Sequence, residues 1–155
     1  MEENVMSYLD PESVDAIPPG ILAYIGDAVY ELYVRENLLK NGLFGERLDV
    51  DLDELHKEAV LRVCATAQAH ALADLEPFLM PDEADVARRA RNIKVGRGPR
   101  SMPVLDYRHS TAFEAVIGYL YLLGRDARLD ELMSKALSLT EARLAESNHA
   151  PKEKQ

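Results

Sequence analysis

Apolar positions along this chain recur mostly at three- and four-residue intervals, the spacing that places side chains on one side of an α-helix. Ile21, Leu22, Ile25, Val29, Leu32, Tyr33 and Leu39 follow it and predict a helix from Ile21 to about Lys40. The preceding Ile17-Pro18-Pro19-Gly20 stiffens the entry and suits a helix's first turn, while Asn41-Gly42 supplies a stop. Leu52, Leu55, Ala59, Val63, Ala67 and Leu72 predict a second, longer helix between Asp49 and Leu75, with room for one break, closed by Glu76-Pro77. Pro81-Asp82 opens a third, short helix through Arg91, with acids in the first turn where the helix dipole is positive. Residues 92 to 104 hold two glycines and two prolines in thirteen positions, which predicts a loop. A fourth helix from about Asp106 to Leu123 and a fifth from Asp130 to about Glu146 complete the pattern. No segment alternates as a strand would, and none repeats. The expectation is an all-α fold: one domain over residues 17 to 147, between an acidic leader at 1 to 16 and a frayed tail at 148 to 155.

Composition narrows the class. With 155 residues, 47% of them hydrophobic, the chain has enough apolar material for one core. Charges interrupt every apolar run before it reaches the about 18 to 20 residues of a membrane helix. Residues 1 to 16 carry five acids and no base, the reverse of a signal or transit peptide, so a cytoplasmic protein with no membrane partner is expected. The single cysteine, Cys64, excludes an internal disulfide and a thiolate zinc cluster, and its alanine-rich setting predicts a small buried side chain. His56, His70, His109 and His149 have no zinc spacing. Gly96-Arg97-Gly98 lacks the third glycine and the strand of a dinucleotide fingerprint, and no Gly-Lys-Ser/Thr marks a phosphate loop. The tyrosines at 24, 30, 33, 107, 119 and 121 lie on apolar helical faces, as core or interface residues do.

The net charge of −9 argues against a nucleic-acid partner only as an average. Residues 88 to 108 contain Arg88, Arg89, Arg91, Lys94, Arg97, Arg100 and Arg108 against Asp106 alone, so this stretch is +6 and the remainder −15. What counts for anion binding is the local field, and here positive charge is concentrated in one place. Such a run can be a solvated helix end or a contact for phosphates.

Two helices carry acids where their apolar pattern favours none. Asp27 and Glu31 stand one turn apart in Leu22-Ala-Tyr-Ile-Gly-Asp-Ala-Val-Tyr-Glu-Leu32, and Glu114 sits within Ala-Phe-Glu-Ala-Val-Ile with no base inside four residues. Burying such a carboxylate unpaired costs several kcal/mol, so it needs a partner: hydroxyls, arginines, or a divalent cation shared with Asp27. Gly26 and Gly118 beside these acids predict two helices whose backbones nearly touch.

Tyr24-Ile-Gly-Asp-Ala-Val-Tyr-Glu-Leu32 resembles the signature helix of the ribonuclease III family, and Thr111-Ala-Phe-Glu-Ala-Val-Ile-Gly118 resembles that family's second catalytic helix. Together with Tyr107-Arg-His-Ser110 and the loop from Arg91-Asn92 to Pro103, they are similar to the Mini-ribonuclease III branch, a bacterial catalytic domain without a double-stranded-RNA-binding domain. The resemblance covers roughly residues 17 to 145. It implies an all-helical endonuclease domain that forms a homodimer, binds Mg2+ through carboxylates and hydrolyses phosphodiesters in double-stranded RNA. By position, the catalytic and metal-binding residues become Asp27 and Glu114. Glu31 is a further metal candidate, matching a family glutamate, with orientation of a ligand or pairing with Arg35 as its other roles. Arg91, Lys94, Arg97, Arg100 and Arg108 become the RNA-binding set, and Leu22, Tyr24 and Ile25 the dimer interface. Two departures thin the acids: the family has a glutamate where this chain has Ala23 and an aspartate where it has Thr111. The branch's usual role, maturation of the 23S ribosomal RNA precursor, is implied by resemblance alone, and a ribosomal protein presenting the RNA remains an open partner. The competing class is a non-catalytic helical adaptor that binds RNA without turnover.

Overall fold

The structure, a computed structural model, describes residues 9–40, 49–93 and 103–149. Among them there are seven α-helices and no strand: α1 (Pro11–Asp15), α2 (Pro19–Lys40), α3 (Leu52–Val63), α4 (Ala65–Leu75), α5 (Pro81–Arg91), α6 (Val104–Leu122) and α7 (Asp126–His149). A single 3-10 turn, Glu76–Phe78, links α4 to α5.

The architecture is organised around α2 and α6, which pack along each other, with α4 and α5 on α6, α3 on α2, and α7 against α4. On α2 the buried residues Leu22, Gly26, Tyr30, Val34 and Leu38 fall every fourth position, so a single stripe faces inward. From Ala112 to Leu120 only Glu114 escapes burial on α6, as expected of a helix surrounded by others. The edge of the Tyr30 ring meets Phe113 at 4.8 Å between centroids, locking the two helices. Gly124, with φ 70°, ends α6: its N–H donates to Tyr121 and the N–H of Arg125 to Leu120, satisfying the last carbonyls.

Several expectations are corrected. The one break allowed for in the long second helix falls at Cys64, whose extended backbone (ψ 156°) lets α4 set off in a new direction. Cys64 itself is exposed, not buried, because it sits at that corner and not on a packed face. The acidic leader contains α1, whose Val14 is fully buried in the core, with Asp10 capping the Ser13 N–H at 3.0 Å. The last helix starts four residues earlier than expected and runs to His149, so Asn148 and His149 are helical; the rest of the expected frayed tail lies outside the described residues. Ile21, Leu32, Leu39 and Leu52 are exposed although the periodicity placed them inward, whereas Tyr30, Val34 and Leu38 form the core.

Buried charges are paired. Arg62 reaches Glu141 at 2.5 and 3.0 Å and Glu58 at 2.8 Å, joining α3 to α7. Glu83, with no exposure at all, accepts from Arg128 of α7 at 2.8 Å and from the Met80 N–H at 2.9 Å. Arg128 also donates to the Phe78 carbonyl, fixing the 3-10 turn to α7.

Candidate active site

Gly26 on α2 and Gly118 on α6 set the position of the site. A Cβ at Gly26 would lie 1.7 Å from the Glu114 carbonyl oxygen, and one at Gly118 would lie 1.9 Å from the Leu22 carbonyl oxygen. Only hydrogen fits at either place, so the two backbones touch as the sequence suggests. This crossing carries Asp27, the residue after Gly26, and Glu114, one turn before Gly118, to the same cleft. The cleft has a volume of about 400 Å³; α4 and Ile93 close its other sides, and Tyr107, Ser110 and Thr111 continue it along α6.

Its electrostatics are those of acids short of a counter-charge. Burial, and after it the charges of Asp27 and Glu31, push the Glu114 carboxyl up to about 8, while a hydrogen bond from the Gln68 amide acts in the opposite direction. Asp27, exposed by surface area, is also raised, first by partial loss of solvent and then by Glu31. Glu31 itself is engaged by Arg35 four residues on, at 2.9 Å. Among the described residues no group of three or more His, Cys, Asp or Glu side chains is gathered as a metal cage. The set facing the cleft is therefore two carboxylates. Ala23 and Thr111, the positions where the ribonuclease III pattern would carry further acids, also line this cleft. The Thr111 hydroxyl donates to the Tyr107 carbonyl at 2.9 Å.

The remaining site residues separate. Arg108 is exposed and forms no ion pair among the described residues, whereas the Arg91 guanidinium is held by Glu76. Both line a recess of about 330 Å³ at the C-terminal end of α5 and the start of α6, together with Arg88, Asn92 and His109. Arg88 and Arg89 are both paired with Asp85, at 2.7 and 3.0 Å. Lys94, Arg97 and Arg100 lie outside the described residues. Of the expected dimer residues, Tyr24 is 77% exposed and Ile25 half-buried. Leu22 is corrected to a core residue, 1% exposed, because it is the first member of the inward stripe of α2 and has no side-chain surface for a partner.

Gln68 was not singled out from sequence. Its amide is 1% exposed, lines the cleft, and leaves its Oε1 without a hydrogen-bond partner. The available signal was a long amide side chain in the alanine-rich run Ala65-Thr-Ala-Gln-Ala69.

A helical domain with two carboxylates converging at a glycine–glycine crossing defines the class. The Ribonuclease III domain profile matches residues 21–125, and the chain belongs to the ribonuclease III family of endoribonucleases. Similar proteins include Mini-ribonuclease 3 of Symbiobacterium thermophilum, 46% identical over 125 residues (81% of this chain and 92% of that protein). The Mini-ribonuclease 3 of Brevibacillus brevis is 43% identical over 79% of this chain and 87% of its own length. A crystal structure of a Fusobacterium nucleatum protein superposes with a TM-score of 0.69 at 27% identity, covering 81% of this chain and 96% of that one. Among the described residues no helix is long and apolar enough to cross a membrane.

Proposed function

We propose that this chain cleaves double-stranded RNA with Mg2+ held by Asp27 and Glu114, that it works as a homodimer in the cytoplasm, and that its natural substrate is the 23S ribosomal RNA precursor. The observation that carries the metal reading is the pair of carboxylates in one cleft, one of them pushed up to about 8 by burial and by its neighbours' negative charge. A divalent cation relieves both penalties, and an all-oxygen donor set with space left for water suits magnesium. When bound, the metal supplies Lewis-acid stabilisation of the phosphate and a more acidic water for in-line attack. The chain's own residues orient and exclude. Asp27 and Glu114 present oxygens from two helices that cannot slide apart without separating Gly26 from the Glu114 carbonyl. Ala23 and Thr111 leave the cleft uncrowded. Arg108 offers a phosphate contact near the start of α6, in a recess it shares with Arg88, Arg91 and His109. Glu31, tied to Arg35, acts by orienting and by its charge on Asp27 rather than as a direct ligand.

The duplex-RNA substrate is supported by the Mini-ribonuclease 3 relatives and by the basic stretch at residues 88–108, and the precursor assignment rests on the family resemblance alone. Incubation of the purified protein with a long RNA duplex, with Mg2+ or with a chelator, is read on a gel. Magnesium-dependent shortening of the duplex is expected; retarded but intact duplex under both conditions would establish the adaptor reading instead.

A further inference from the structure

The cleft contains one polar group that the two-carboxylate reading does not use. Gln68 comes from α4, the helix that begins at the Cys64 corner, and its side chain is almost wholly removed from solvent. The hydrogen bond from Gln68 favours the charged form of Glu114, which only an N–H can do, and the amide oxygen is the atom left without a partner, so the amide nitrogen is the one that serves Glu114. That oxygen has no hydrogen-bond partner, although a buried amide oxygen left unpaired carries a desolvation penalty. Glu83 and Arg62, buried to a similar depth, are paired, whereas among the described residues the Tyr30 hydroxyl, in the core and away from the cleft, shares the unpartnered state of the Gln68 oxygen.

Resting on the metal reading above, we infer that Gln68 is a positioning residue: its amide nitrogen holds the Glu114 carboxylate toward the cleft, and its Oε1 accepts a hydrogen bond from a water molecule coordinated to the cation. The chemistry fits a site thin in carboxylates. Because Ala23 and Thr111 supply no charge, a cation held by Asp27 and Glu114 would keep more of its water, and a neutral acceptor beside that water would orient it without adding repulsion. Gln68 thus belongs to the site although it contributes no charge.

The test measures Mn2+ binding to RNA-free protein by titration calorimetry, alongside kcat and KM on a duplex, for wild type, Asp27→Asn, Gln68→Met and Gln68→Glu. Gln68→Met keeps length and removes both amide functions. It is expected to fold with a melting temperature at least equal to wild type, because an unsatisfied oxygen is gone. Its Mn2+ affinity and kcat are expected to fall about 10- to 100-fold, with KM for RNA unchanged. Gln68→Glu keeps an acceptor facing the cleft but loses the N–H that holds Glu114, so its kcat is expected to fall about tenfold or more. Wild-type Mn2+ affinity and kcat in Gln68→Met would overturn the inference. If that variant does not fold, wild-type kcat in Gln68→Glu would overturn it in its place. The metal reading fails separately, when Asp27→Asn binds Mn2+ as wild type does.

Discussion

At Glu114 a raised carboxyl makes the metal-free protein sensitive to pH in a defined direction. The folded state binds this proton more tightly than the unfolded chain, in which the group titrates near its ordinary 4.5. The stabilisation is therefore fully present below about 4.5 and is lost as the pH rises toward about 8; Asp27 is shifted the same way. Thermal melts of the metal-free protein are expected to lose stability by a few kcal/mol between pH 5 and 8 relative to Glu114→Gln, which has no such titration. Divalent metal added at pH 8 is expected to restore most of it. Parallel pH profiles of the two proteins would contradict this assignment. The acids were legible in the sequence because a carboxylate among Ala, Phe, Val and Ile has few structural explanations. Leu22 and Cys64 were not. An apolar residue reads the same whether it faces its own core or a partner, and a cysteine at a helix corner differs from one within a helix only in backbone direction.

At the scale of elements, the α2–α6 crossing is the determinant of site geometry. Gly26→Ala places a methyl group 1.7 Å from a backbone oxygen, and the neighbour is a helix that cannot move aside alone. A loss of about 3 kcal/mol or more is expected, read as a fall in melting temperature, together with loss of metal binding as Asp27 and Glu114 separate. Unaltered stability would mean that the helices lie farther apart than described. Both glycines were visible in the sequence as small residues beside acids, and so was the helix order. Less visible was which stripe of α2 turns inward. Ile21, Tyr24, Leu32 and Leu39 are as apolar as Leu22, Tyr30, Val34 and Leu38, so periodicity fits either face, and only packing against α6 decides. One break in the second helix was foreseen, but not its position at Cys64, because alanines continue the helical pattern across it.

For the whole molecule, the outward face of α2 matters most. Ile21, Tyr24 and Leu32 leave more than half of their surface exposed on α2, with Tyr24 at the cleft, and such apolar side chains are costly to leave in water. A two-fold dimer through this face would give one Asp27–Glu114 pair to each antiparallel strand of a duplex. Light scattering is expected to give twice the 17.3 kDa chain mass, and Tyr24→Glu to give a monomer with cleavage reduced at least tenfold. A wild-type monomer fully active at nanomolar concentration would exclude the dimer. On the basic side, Arg108→Ala is expected to lower the slope of log affinity against log salt by about one for duplex RNA, with metal affinity unchanged. An unchanged slope would remove Arg108 from the RNA interface.

The most direct measurement pairs cleavage with binding in Asp27→Asn and Glu114→Gln. Each substitution removes a charge with almost no change of shape. Both variants should fold, bind duplex RNA with wild-type affinity, and lose cleavage by at least a thousandfold at saturating Mg2+. Near-normal magnesium-dependent cleavage by either variant would contradict the assignment of the catalytic site to the α2–α6 crossing.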